Sequence, residues 1–206
     1  MIALAAFLGN PGETYRGNRH NAGQLLAEAL PFFSSLDWKK KYKGRYAAID
    51  GNRLRPYAGS GAGEDPAERI HLLLPETYMN RSGDSVWAAA AFFKIKPEQI
   101  LVVHDELELS LGQVSLKFSG GLGGHNGLRS MKARFGTADF WRLRIGIGRP
   151  SHDDVSGWVL SDFSPPEREV LGPVLDAAAG ALIHALVFGP QGLLPEWNKK
   201  KIEGRA

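Results

Sequence analysis

The stretch LGNPGETYRGNRHNAG (8–23) places Asn10 directly after a short apolar run and His20 at the start of an amphipathic segment. Histidine is the side chain whose ordinary titration falls near neutral pH. It can take a proton from water if a partner fixes its tautomer. Asp105, in VVHDELEL, ends another apolar run and is the carboxylate that could serve. The plain reading competes: a histidine in a first helical turn is ordinarily a surface residue, and Asp105 beside Glu106 and Glu108 also reads as a solvated turn carboxylate. His104 should face away from Asp105 by strand alternation, which ranks it below His20 as a base.

More polar groups follow other apolar runs. Tyr78, Met79 and Asn80 follow IHLLLP, and His125 and Asn126 sit in SGGLGGHNG. Amide side chains can hold a carbonyl or a water without adding charge. The glycine loop lacks the Gly-Lys-Ser/Thr ending of a P-loop, and Asn126 stands where G-x-G-x-x-G needs its last glycine. It reads as open backbone that a bulky substrate can approach, with a hairpin tip as the competing account. His104, Asp105, Glu106 and His125 offer metal ligands, yet there is no HExxH, no close histidine pair and no cysteine. No G-x-S-x-G supports serine catalysis. Lys117, Arg142 and Arg144 flank the same runs, with Arg19, Lys132 and Arg134 nearby in sequence. Solvated surface charge is the default for each, and phosphate contact is what they would offer as a set.

These residues must be positioned by a scaffold. Residues 2–8, 42–48, 70–75, 100–105, 113–118 and 140–148 read as strands. Helical spacing covers 20–33, 82–95 (with Ser82 or Ser85 as cap), 126–136 and about 165–188. Residues 59–69 read as a surface loop. Strands alternating with helices predict an α/β fold. In open α/β sheets, sites gather at the carboxyl ends of strands, and that is where Asn10, Asn80, Asp105 and the glycine loop fall.

The chain has 206 residues, 43% hydrophobic and 23% charged, which suits one globular domain. The absence of cysteine excludes disulfides, thiolate nucleophiles and Cys-based metal sites. Net charge is +3 with a pI near 9.2, which permits a nucleic-acid partner without requiring one. The N-terminus lacks a signal-peptide pattern, and no uninterrupted apolar run approaches the roughly 18 residues needed to span a bilayer. Residues 199–206 read as a polar, basic, frayed tail, and its IEGR matches a common protease recognition sequence.

Five pieces in order, FLGNPGETY with RHNAG, PETYMNRSG, VVHDELEL, KFSGGLGGHNGLRS and FWRLRIGIGRP, resemble the bacterial peptidyl-tRNA hydrolase family over roughly residues 5–150. The resemblance implies a single domain over 1–198, with a twisted, mixed but largely parallel sheet sandwiched between helices. It implies hydrolysis of the ester joining a peptide to the 3′ end of tRNA, which recycles tRNA from prematurely released peptidyl-tRNA. It further implies a cytoplasmic monomer with no cofactor, no metal and no membrane contact. Carried over by residue, His20 matches the catalytic base, Asp105 the carboxylate that orients it, and Asn10 an asparagine of the catalytic set. Tyr15, Met79, Asn80, His125 and Asn126 match substrate-binding positions. Lys117 and Arg144 match basic positions linked to tRNA phosphate. Asn18, where the family more often has threonine, the long 51–70 segment, and Ser115, where some members carry lysine, depart from the pattern. Two other readings stand beside this one: a non-catalytic RNA-binding relative of the same fold, and a peptidase or esterase acting without RNA.

Overall fold

A computed structural model describes residues 1–63, 65–151 and 153–202. Its strands are β1 (Leu4–Phe7), β2 (Lys39–Lys41), β3 (Gly44–Asp50), β4 (Arg69–Pro75), β5 (Ile100–Glu106), β6 (Gln113–Phe118), β7 (Trp141–Gly146) and β8 (Lys200–Lys201). They form one sheet in the order β2-β3-β4-β1-β5-β7-β6-β8. The α/β class holds, but the expectation of a largely parallel sheet is corrected. Only the central β4-β1-β5-β7 are mutually parallel, while β2, β3, β6 and β8 pair antiparallel. The reason lies in the connections. A parallel neighbour needs a long crossover. Here β2 turns into β3 through two residues, and β3 reaches β4 without an α-helix.

The helices are α1 (Ala22–Glu28), α2 (Ser82–Phe93), α3 (Asn126–Phe135), α4 (Val155–Val159) and α5 (Pro165–Phe188). Alternation along β5 splits the core. Leu101 and Val103 face a cluster containing Leu26 and Leu182 of α1 and α5, whereas Ile100 and Val102 face Val86 and Met131 of α2 and α3. The helix expected over 20–33 is shorter, because Pro31 disfavours helical geometry at Leu30. Neither Ser82 nor Ser85 caps α2; their hydroxyls meet Met79 Sδ and the Tyr42 carbonyl. Helix α5 is long and apolar enough to cross a membrane by length and composition. That corrects the expectation from uninterrupted runs, and its buried face packs into the core.

The described residues from 59 to 68 run without helix or strand, as the loop reading expects, and more structure lies before them. Residues Gly51–Tyr57 form a 3-10 helix with Leu54 fully buried, and Gly61 and Gly63 lie against Phe188 of α5. The expected tail also differs: Lys200 and Lys201 add β8 to the sheet by pairing with Val114 and Gln113. Most of IEGR, along with His152, lies outside the described residues.

Candidate active site

Helix α1 reaches the sheet because Gly23 has no side chain. A Cβ there would stand 2.5 Å from the Leu8 carbonyl oxygen and 2.6 Å from that of Val103. The helix start therefore presses onto the ends of β1 and β5, and the 3-10 turn Arg19–Asn21 just before it drops His20 beside Asp105. The His20 Nδ1 to Asp105 Oδ1 distance is 2.9 Å, between side chains that are both buried. With Nδ1–H donated to the carboxylate, Nε2 is the lone-pair nitrogen. His20 lines a cavity of about 380 Å³ together with Asp105, His125, Asn126, Arg129 and Arg149.

The same Asp105 oxygen accepts a second hydrogen bond, from His125 Nε2 at 2.9 Å. His125 caps α3, and its Nδ1 accepts from the Gly127 and Leu128 amides at 3.1 and 3.4 Å. Those amides fix the tautomer, so Nε2 must carry the proton. Burial alone would push the Asp105 carboxyl up, but the two imidazoles outweigh it and hold the carboxyl far below its usual range. Asp105 is thus an ionised group fixed by two N–H donors. His104 stays close to this group, its ring edge-on to that of His125 at 4.9 Å between centroids. Its Nδ1 donates to the Asp105 carbonyl at 2.6 Å, its Nε2 is buried without a partner among the described residues, and burial keeps its imidazole neutral.

Atoms of His20, Asp105 and His125 lie within 4.8 Å of one another, close enough to test as a metal set. The hydrogen bonding does not fit one. A metal would need His125 Nε2 as a bare lone pair. Nδ1 would then carry the proton and face two backbone donors.

Asn10 is held on both sides. Its amide N–H donates to Asn21 Oδ1 at 2.9 Å, and Asn21 Nδ2 returns a bond to the Asn10 carbonyl at 3.0 Å. Its own Oδ1 accepts from the Met79 amide at 2.7 Å, which leaves Nδ2 as the group to meet a substrate. Met79 is buried, and a Cβ on Gly127 would fall 2.6 Å from its sulfur and 3.0 Å from His125 Cε1. That close approach brings β1, the turn after β4 and the start of α3 to one place. Tyr15 packs edge-on to Tyr78 at 6.4 Å between ring centroids, and Asn80 and Asn126 are exposed at the same carboxyl edge.

The basic residues divide. Arg19, counted as a surface cation, is buried. It stacks 3.9 Å above Trp158 and pairs with Glu167 at 2.7 Å, tying the turn that carries His20 to α4 and α5. Arg142 is also buried, and it donates to the Gly121 and Gly120 carbonyls at 2.6 and 3.0 Å, so the glycine loop is anchored and not a free hairpin tip. Arg144 pairs with Glu106 at 2.9 Å. Lys117 is half-buried beside Gly120. Neither Lys117 nor Arg144 lines the cavity around His20; Arg129 does, and it has no ion pair among the described residues. Sequence reading missed Arg129 and Asn21. The signal for Asn21 was its place next to His20, and that for Arg129 its place in the matching piece KFSGGLGGHNGLRS, one helical turn after His125.

A mixed α/β sheet that carries at its carboxyl end a histidine bonded to a buried carboxylate, with Asn126 lining the same cavity and Asn10 another, has groups that a hydrolase can use. The family model described as peptidyl-tRNA hydrolase matches residues 4–204. The peptidyl-tRNA hydrolase of Treponema pallidum is 49% identical over 98% of this chain and 96% of that protein, and that of Trichlorobacter lovleyi 44% over 98% of each. A crystal structure of a peptidyl-tRNA hydrolase in complex with N-propanol superposes with a TM-score of 0.81 at 37% identity, over 97% of this chain and 96% of that one. The enzyme from Acinetobacter baumannii gives 0.77, also at 37%, over 95% and 91%. The chain belongs to the peptidyl-tRNA hydrolase family.

Proposed function

We propose that this hydrolase cleaves the ester between a peptide and the 3′ end of tRNA, with His20 as the base that activates water. The observation that carries the mechanism is the 2.9 Å bond from His20 Nδ1 to an ionised, buried Asp105. It fixes the tautomer with Nε2 free and stabilises the imidazolium that forms when water gives up its proton. An ester has a better leaving group than an amide, so one base suffices. Asn10 Nδ2 polarises the carbonyl, while Asn80 and Asn126 hold the peptide backbone through uncharged amides that tolerate any sequence. Tyr15, Met79 and His125 complete the wall. Arg129, joined by Lys117 and by Arg144 where Glu106 leaves it charge to spare, meets phosphates at the acceptor end. The protein acts as a cytoplasmic monomer and needs no cofactor in this scheme. The intact His20–Asp105 pair favours this reading over a non-catalytic RNA-binding relative.

The test compares purified protein acting on peptidyl-tRNA and on the same peptide esterified to a simple alcohol. Rapid cleavage of the first and slow cleavage of the second is expected. Equal cleavage of both would remove the RNA from the proposal, and no cleavage of either would remove the reaction.

A further inference from the structure

The chain runs Lys39-Lys40-Lys41-Tyr42-Lys43 through the β2–β3 hairpin, where β2 is the outer edge of the sheet. Lys39 pairs with Asp37 at 2.9 Å, while Lys40, Lys41 and Lys43 are exposed and have no ion pair among the described residues. Beside them stands an aromatic group. The Tyr42 ring lies 5.6 Å from Phe92 and 5.5 Å from Phe93, and Phe92 is 68% exposed. A cavity of about 370 Å³ runs between Lys39, Lys41, Tyr42, Arg69 and Phe92. The turn itself is unusual. Tyr42 and Lys43 both lie in the left-handed region, at φ 53° and 57°, in a two-residue turn that ordinarily takes Asn-Gly. Ser85 Oγ–H donates to the Tyr42 carbonyl and the Glu76 amide donates to that of Lys43, holding the turn in place.

Lysines on an edge strand also serve to keep other strands away. The opposite edge shows what that alone requires. There Lys200 pairs with Glu196 and lies over Trp197, covering apolar surface. Edge protection has no use for an exposed phenylalanine among unpaired lysines. The hairpin also sits at the carboxyl end of β4, since Gly44 pairs with Pro75. Glu76 lines both the hollow under Lys40 and Lys43 and the larger cavity beside Asn10. The cavity beside Asn10 and the hollow at the hairpin therefore share a wall.

We infer that this hairpin and Phe92 form a second RNA-contacting surface, which grips the backbone of the substrate tRNA away from its acceptor end, with an unpaired base stacking on the aromatic group. The inference rests on the function proposed above. Unpaired lysines release counterions from phosphates, and an exposed ring offers a face to any base. The surface contributes binding and leaves the chemical step alone.

The experiment uses the full chain with K40Q/K41Q/K43Q together, and separately F92A, all at exposed positions. Binding of uncharged tRNA is measured across salt concentration, and KM is measured for full-length peptidyl-tRNA and for a peptidyl ester of a short CCA oligonucleotide. For the triple variant we expect roughly tenfold weaker tRNA binding, a salt slope reduced by about two to three, and a KM raised only for the full-length substrate with kcat unchanged. For F92A we expect a several-fold loss of binding with the salt slope kept. Unchanged tRNA binding by both variants would overturn the inference, as would a KM rise of equal size for the short ester. Loss of binding to polyglutamate or to anionic vesicles, with tRNA binding intact, would also overturn it and give the surface to another polyanion. Because tRNA binding is read without turnover, failure of the hydrolytic proposal leaves a separate result.

Discussion

The imidazoles of His71 and His20 are buried in different regions of the molecule, and their partners differ. His71, on β4, stacks on Phe93 at 3.8 Å and bonds to the Tyr46 hydroxyl at 2.7 Å. Burial, with a smaller contribution from Arg69, pushes it down to about 4. His20 lies as deep but has a carboxylate as its partner and its second nitrogen at a cavity. Burial alone therefore yields an inert, neutral histidine. A base needs a fixed negative charge on one nitrogen and access to water at the other.

Substitutions can break this contrast in order of size. His20→Ala removes the base and should lower kcat on peptidyl-tRNA by roughly 10³-fold, within the range for general-base catalysis. Activity within a few-fold of wild type would end the mechanism. Asp105→Asn keeps the shape but removes the charge, making the His20 environment more like that of His71. A drop of roughly 10²-fold is expected in steady-state turnover, and a smaller drop than for His125→Ala would show that the charge is not what matters. His125→Ala removes one of two donors to Asp105, a charge-assisted bond worth about 1.5 kcal/mol, so about tenfold in kcat/KM is expected. His125→Gln should recover part of it, because an amide N–H can still reach the carboxylate. Failure of Gln to do better than Ala would move His125 from positioning to direct substrate contact.

The smallest effect concerns stability. The folded-state value of His71 lies below the ordinary 6.5, so between about pH 6.5 and about 4 the unfolded chain binds a proton that the folded one does not. Its stabilising contribution is complete above pH 6.5 and is lost as pH falls through that window. Urea midpoints at pH 7 and pH 5 should differ less for His71→Gln than for wild type. An unchanged difference would show that His71 is not a source of the slope.

Much of this could be read from the chain. The carboxyl-end rule gathered Asn10, Asn80 and Asp105, because each follows an apolar run that forms one of the parallel strands; Asn126 arrives by another route, since β6 runs antiparallel and ends beside Trp141 at the start of β7, and the glycine loop carries the chain back to Asp105. Helix α5 came out over 165–188, as its spacing dictated. Other features were hidden for physical reasons. Charge in a sequence does not say whether it is solvated, so Arg19 and Arg142 read as surface residues although both are buried clamps. A short basic run such as Lys200–Lys201 looks frayed until its partner strand is known, since β pairing is set by a distant segment. The parallel bias failed because strand direction depends on connections, which hydrophobic pattern does not encode. Asn21 supports Asn10 through backbone geometry that spacing alone does not show.

The first strand made waits for partners made much later in the chain. Strand β1 lies at the centre of the sheet, where Leu4 meets His71 on one side and Ile100 on the other. During synthesis its apolar residues wait without neighbours until β4 and then β5 emerge, and contacts so distant in sequence close slowly. His20 waits with it, because Asp105 and His125 arrive later still. A chain cut before Ile100 would keep one side of β1 open as an adhesive edge and would contain no base pair of histidine and carboxylate at all. Assembly of the His20–Asp105–His125 group therefore waits on β5 and the start of α3, and β7 and β8 complete the sheet only afterwards.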